Sequence, residues 1–238
     1  MALPSSGNSL SLNQIQGEFG GTNPISISEY FSAASGIPAS GNTISISDFY
    51  GAANAVSFTY EIIGGGGGGG YGLEDGYGST ARAGSGGDSS ITASGLTTIT
   101  SSGAQGGTHA TISWNTAVGR EGDASYYGAG PVGTPNGVAG ASATASHYGA
   151  GGAGGGGDSP NKFDSSGGGG EGGDASSRQT GTATVVSGTT LTINIGSGGA
   201  GGTGGNHAGG NGAGGFVQIV VGSNVHPFTS NGTLTLTS

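Results

Sequence analysis

The sequence predicts a fold that is mainly β and irregular: short strands framing a sandwich of polyglycine II helices, with a small repeat-containing docking module at the N-terminus. Three observations predict it. Glycine supplies 60 of the 238 residues and comes in runs, apolar residues gather into a few short alternating segments, and two near-identical Ile-Ser-Ile-Ser stretches stand close together before residue 52. The expected organisation is residues 1–55 as docking repeats, 56–222 as a glycine-rich polyglycine II/β domain with variable loops, and 223–238 as a C-terminal β-hairpin.

Glycine and serine at this abundance would by themselves indicate a disordered chain. A net charge of −9 spread over 238 residues is too low to hold such a chain open. Residues 56–63, 190–195 and 216–221 alternate apolar and polar side chains, as strands with one buried face do. Leu, Ile, Val and Phe make only about a sixth of the chain, so the side-chain core is expected to be small. Collagen is excluded because the glycines have no strict third-residue period and proline is scarce.

In the N-terminal segment the divergent copy Ser9-Leu10-Ser11-Leu12 is followed by Ile25-Ser26-Ile27-Ser28-Glu29-Tyr30-Phe31 and by Ile44-Ser45-Ile46-Ser47-Asp48-Phe49-Tyr50. Each good copy reads as a short strand followed by one helical turn, capped by Ser28 or Ser47 and ended by Gly36 or Gly51. So short a unit cannot bury a core alone. The repeats must pack on each other or on a partner, and Ile25, Ile27, Tyr30, Phe31, Ile44, Ile46, Phe49 and Tyr50 are the expected docking residues.

Residues 64–215 hold 51 of the 60 glycines. Ordering a glycine run costs the most backbone entropy of any sequence, and there are no side chains to bury in return. Backbone hydrogen bonding between neighbouring segments is the compensation left, and an extended helix with three residues per turn needs such neighbours because it makes no internal bonds. The segments 91–100 and 182–195 repeat one strand-turn-strand pattern around Ser94-Gly95 and Ser187-Gly188. Asn231-Gly232, between alternating segments, is a hairpin signal.

These features carry a resemblance. The Ile-Ser-Ile-Ser-acid-aromatic repeats resemble N-terminal segments of virion proteins of tailed phages. Residues 226–237 resemble the C-terminal motif of glycine-rich phage fibre proteins. The central region is similar in kind to the tail-fibre tip adhesins of T-even-like phages, whose glycine-rich motifs form a polyglycine II sandwich and whose variable loops contact the host. The N-terminal repeats stand where those adhesins have an attachment domain. The resemblance implies a virion protein of the phage tail that docks on tail-fibre or baseplate proteins and binds a bacterial surface glycan or outer-membrane protein. It also leaves two stoichiometries open, since phage fibres are usually homotrimers whereas the related tip adhesins cap a trimer as a single chain. A purely structural virion component without receptor contact is the alternative.

Between the glycine runs stand Tyr71, Tyr77, Trp114, Tyr126, Tyr127, Tyr148 and Phe163, the expected receptor-binding residues. Tyr and Trp on Gly/Ser/Asn-rich loops offer large amphipathic contact area at low entropic cost. Packing into the frame is the competing role for any one of them. The acidic residues among them read as solvated loop charges, and an isoelectric point near 4.4 disfavours nucleic-acid binding. No cofactor or metal is expected. No enzyme is expected either: the sequence has no nucleophile elbow, P-loop lysine motif or paired zinc histidines, and Glu121 with Asp123 is the nearest approach to a glycosidase pair. His109, His147 and His207 adjoin glycine- or alanine-rich stretches and are expected to bond the frame. A start at Met1-Ala2-Leu3-Pro4 without a basic or long apolar stretch leads to the expectation of a soluble product made in the host cytoplasm, with no membrane insertion.

Overall fold

Val56, Phe58 and Ile62 alternate with Ser57, Thr59 and Glu61, and this period of two builds β1 (Ala55–Ile63) with one face on a core. The computed structural model describes residues 2–34, 36–72, 82–109, 121–133, 139–153, 170–203 and 207–237. The protein is mainly β. Its further strands are β2 (Ser89–Ala93), β3 (Leu96–Ser101), β4 (Arg178–Val186), β5 (Thr190–Asn194), β6 (Phe216–Val221), β7 (Asn224–Phe228) and β8 (Gly232–Thr235).

The strands form two four-stranded sheets, ordered β4-β1-β6-β7 and β3-β2-β5-β8, and all the pairings are antiparallel. Phe58, Ile62, Val217 and Ile219 of the first sheet pack against Ile91, Leu191, Ile193 and Leu236 of the second. Full burial of such side chains contributes about 1.5–3 kcal/mol each.

Ser94-Gly95 closes a true hairpin between β2 and β3, with Gly95 at φ +75°. Ser187-Gly188 does not: β4 lies in the first sheet and β5 in the second, so this turn is a corner between sheets. The expected C-terminal hairpin is likewise corrected. β7 pairs with β6, and β8 pairs with β5 in the opposite sheet. Gly232 lacks the positive φ of an Asn-Gly hairpin turn, and the Asn231 side chain accepts a hydrogen bond from the Ile195 N–H at 2.7 Å. Residues 224–228 and 232–235 therefore complete one sheet each and do not pair with each other as a hairpin.

Six strands run directly into or out of glycine-rich segments. β1 continues as 64–70, β3 as 102–108 and β5 as 196–202, while 82–88, 170–177 and 209–215 lead into β2, β4 and β6. The run 64–70 lies at the centre. Its Gly65 and Gly68 N–H groups donate to Gly87 and Gly84, those of Gly66 and Gly69 to Ala213 and Gly210, and those of Gly67 and Gly70 to Asp174 and Glu171. In return, the carbonyls of Gly65 and Gly68 accept from Ala104 and Gly107, those of Gly66 and Gly69 from Gly199 and Gly202, and that of Gly67 from Gly152. Each residue turns to a different neighbour from the one before it, and the same neighbour returns after three residues.

The surrounding segments also bond one another in a closed ring. Ala83 and Gly86 donate to Gly107 and Ala104, Gly84 and Gly87 to Ala200 and Ser197, and Gly212 and Gly215 to Gly199 and Gly196. Gly210 and Ala213 donate to Ala153 and Ala150, Gly173 and Ser176 to Gly152 and Gly149, and Glu171 and Asp174 to Thr108 and Gln105. Neighbours in this ring run in opposite directions, so three segments are parallel to the central run and three antiparallel. A Cβ on any of Gly64 to Gly70 would fall within 3.0 Å of a neighbour's backbone carbonyl. The close approach on several sides is what demands glycine there.

At the other end of the sandwich, Ser11 and Gln14 form a capping box that starts α1 (Leu12–Phe19). The two Ile-Ser-Ile-Ser copies form 3-10 turns, Ile27–Tyr30 and Ile46–Phe49, whose caps are Ser26 and Ser45, two residues before the expected Ser28 and Ser47. No strand forms there. The hydroxyls of Ser26 and Ser28 bond each other at 2.7 Å, as do those of Ser45 and Ser47, and these local bonds fit the curled chain better than a ladder. The copies pack on one another and on α1: Ile15, Tyr30, Ile37 and Phe49 are buried together, with the Tyr30 and Phe49 rings edge to face at 5.9 Å. The Asn54 N–H donates to Glu18 Oε1 at 2.9 Å, which ties this cluster to the start of β1.

Replacing Gly67 by Ala should remove the cooperative folding transition or lower stability by more than about 4 kcal/mol. Gly17→Ala, on an exposed helix position with open space around it, should instead hold or raise stability by up to about 1 kcal/mol. Thermal and urea unfolding of the two variants checks both.

Candidate recognition surfaces

The four expected receptor-binding residues that the structure describes divide between two places. Tyr77, Trp114 and Phe163 lie outside the described residues. Tyr71 sits at the far end of the glycine layer, where its ring stacks on His109 with centroids 3.9 Å apart. Its backbone N–H donates to His109 Nδ1 at 3.3 Å, so that nitrogen is an acceptor and the ring proton resides on Nε2. Burial of His109 depresses its pKa.

That end gathers chain. The Gly72 N–H donates to the His207 carbonyl at 2.8 Å, Arg82 pairs with Thr108, and the Thr108 hydroxyl donates to the Glu171 carboxylate. Arg82 Nη1 also donates to the Gly106 carbonyl at 2.9 Å. Residues 72, 82, 109, 153, 170, 203 and 207, each bordering chain outside the described residues, thus lie towards the end of the glycine layer remote from the sheets.

Tyr126, Tyr127 and Tyr148 converge elsewhere, on the outer face of the first sheet beside the base of the glycine layer. Tyr148 stacks on Phe216 at 4.6 Å, and Tyr127 meets both rings edge-on at 5.3 Å. Tyr127 and Tyr148 are half-buried in this packing, whereas Tyr126 is 67% exposed. Beneath them lies Glu61, 8% exposed, on the outward-facing side of β1. Arg178, at the start of β4, grips its carboxylate with two bonds, Nε to Oε1 at 2.7 Å and Nη2 to Oε2 at 2.9 Å. The Tyr127 hydroxyl donates to Oε1 at 2.8 Å, and the Arg178 guanidinium lies 4.1 Å from the Tyr126 ring centroid.

The Arg178 bonds, opposed by burial and aided by Tyr127, hold the Glu61 carboxyl below its ordinary range. Burial and then the bond to Glu61 push the Tyr127 hydroxyl up to about 12. The tyrosines were expected from the sequence, but Glu61, Arg178 and Phe216 were not. A charged residue inside the apolar run Tyr60 to Ile63 was the available signal that a partner must exist.

Of the expected docking residues, Tyr30 and Phe49 are buried in the N-terminal cluster. Ile25, Ile27 and Ile44 are half-buried against it, and Phe31 and Tyr50 are also half-buried. Ile46 is 40% exposed. The inward residues are spent within the cluster, which leaves Ile46 and the rims of the others to face outward. His147 bonds the frame as expected, Nδ1 donating to the Ala129 carbonyl at 2.8 Å.

Among the described residues no group of three or more His, Cys, Asp or Glu side chains could hold a metal ion, and no helix is long and apolar enough to cross a membrane. No family model, curated protein or solved structure matches this chain.

The titrations set opposite edges on stability. Glu61 is stabilised as the anion, so its contribution is present above the ordinary carboxylate range near 4.5 and is lost as pH falls through its lowered native pKa. Tyr127 is stabilised as the neutral phenol, so its contribution is whole below about 10 and is lost as pH rises through about 12. Tyr127→Phe should cost roughly 1–2 kcal/mol at neutral pH and remove a tyrosine that titrates near about 12 from an alkaline absorbance titration. Arg178→Ala should move the acid-unfolding midpoint to higher pH.

Proposed function

We propose that this chain is a tip adhesin of a tailed-phage tail fibre, carried in the virion, that recognises a glycan or outer-membrane protein on the bacterial surface. On this reading the glycine segments form a polyglycine II sandwich and the N-terminal cluster, a repeat module, attaches to a tail-fibre or baseplate protein. The three-residue return of hydrogen bonds around Gly64 to Gly70 supports the first part. A rigid frame is what a loop-borne recognition surface requires, because ordering cost is then met before the ligand arrives.

The observation that carries the reading is the gathering of residues 71, 72, 82, 109, 170 and 207 at one end of the glycine layer. The N-terminal cluster joins the sandwich through Asn54 and Glu18, at the opposite end of β1. An attachment end and a reading end separated by a stiff body is the geometry a fibre tip needs. Tyr71 stands at the reading end and the exposed Tyr126 offers a lateral contact, with Tyr77, Trp114 and Phe163 proposed as further receptor contacts. The reading gives no catalytic role to any residue and involves no cofactor, nucleic acid or membrane insertion.

Fluorescently labelled protein should bind a subset of candidate bacterial hosts saturably. The pair Tyr77→Ala and Trp114→Ala should weaken that binding at least about tenfold, the effect of losing aromatic anchors worth about 1.4 kcal/mol or more, without lowering the melting temperature. Failure of the intact protein to bind any host would instead favour a structural virion component that makes no receptor contact.

A further inference from the structure

A cleft of about 370 Å³ opens where the glycine layer meets the two sheets. One wall is 101–105, the chain leaving β3; the other is 174–179, the chain entering β4. β3 and β4 are edge strands of different sheets, so each presents unpaired backbone groups alongside the opening.

The walls are fixed. The Ser101 hydroxyl donates to the Ser177 carbonyl at 2.9 Å and accepts from the Gly64 N–H at 3.1 Å, while the Ser176 hydroxyl donates to the Ser102 carbonyl at 2.8 Å. The Asp174 N–H donates to the Gln105 carbonyl at 3.0 Å. Locked between these bonds, Gln105, Asp174 and Gln179 keep their side chains exposed at the cleft, joined by the hydroxyls of Ser102 and Ser177.

The lining consists of hydroxyls, amides, one carboxylate, backbone and the methyl groups of Ala104 and Ala175. It lacks the large aliphatic and aromatic side chains of a site for an apolar ligand. Among the described residues no cation lines the cleft, which disfavours phosphates and other anions, and one carboxylate is too few for a calcium site. Mixed donors and acceptors carried on a fixed backbone match a ligand whose own surface alternates hydroxyl donors and acceptors.

We propose that this cleft is a saccharide subsite that takes a neutral hexose unit, whose hydroxyls donate to the Asp174 carboxylate and exchange hydrogen bonds with the Gln179 and Gln105 amides. Its biological meaning rests on the adhesin reading, as a lateral contact to a surface glycan; its chemistry does not. With no aromatic ring in the lining, a single sugar binds in the millimolar range, and the Asp174 carboxylate turns away acidic sugars.

The test is a titration of the isotopically labelled intact chain with glucose, galactose, mannose and N-acetylneuraminic acid, each up to about 100 mM, followed through backbone amide signals. At least one neutral hexose should move the signals of 101–105 and 174–179 with a millimolar Kd, and N-acetylneuraminic acid should not. The double variant Asp174→Ala, Gln179→Ala should weaken that binding at least tenfold with an unchanged melting temperature. Binding by none of the hexoses at these signals, equal binding of the acidic sugar, or binding that survives the double variant would each overturn the subsite. Cell binding of the intact chain is read separately: its loss alone overturns the adhesin reading, and its persistence without hexose shifts overturns the subsite alone.

Discussion

The backbone hydrogen bonds made by Gly64 to Gly70 are the constraint on which the rest of this protein depends. A buried peptide group must find a partner, and a run with no side chains has nothing else to contribute. Here Gly65 to Gly69 each donate to one neighbouring segment and accept from another. Ordering each residue costs about 1–2 kcal/mol, and one net hydrogen bond returns about 1 kcal/mol. The layer therefore holds only as a whole, with surrounding segments bonded in a closed ring and anchored by strands whose apolar faces are already buried.

The sandwich and the glycine layer are accordingly one construction. β1 delivers the central run, and five of the surrounding segments continue other strands directly. The small core between the sheets fixes where those segments begin, and backbone bonding carries the order outward into a region without a core. The Glu61–Arg178 pair stands at this junction. Arg178 begins β4 opposite Ile63, and the tyrosines packed over Glu61 come from chain that lies against the glycine layer. Burying a carboxylate there ties β1, β4 and the Tyr126-Tyr127 turn to a single geometry, because none can shift without stranding a charge.

Much of this was legible in the sequence. Alternation found β1, β5 and β6 nearly to their ends, since each has one face on the core and one outside. The glycine runs indicated backbone bonding between segments because no other compensation for their entropy exists. What sequence reading missed was pairing at a distance. Ser187-Gly188 and Asn231-Gly232 look like the hairpin turn at Ser94-Gly95, yet both pass the chain from one sheet to the other, a choice made by which edge was open and which apolar face needed cover. The serine repeats read as strands because Ile and Ser alternate, and local hydroxyl bonds curled them instead. Of the aromatic set, Tyr126 and Tyr127 were found together because they are adjacent. Their joining with Tyr148, Phe216 and Glu61 is tertiary and leaves no spacing to read.

The account's central claim is that the glycine layer is a stable hydrogen-bonded body, and amide hydrogen exchange at Gly65 to Gly70 measures that most directly. The account predicts that these amides are among the slowest in the protein and exchange only on global unfolding, alongside those of β1 and β6. Exchange at the rates of an unstructured chain while the strand amides stay protected would contradict it, leaving a small β-sandwich with no frame to hold its loops.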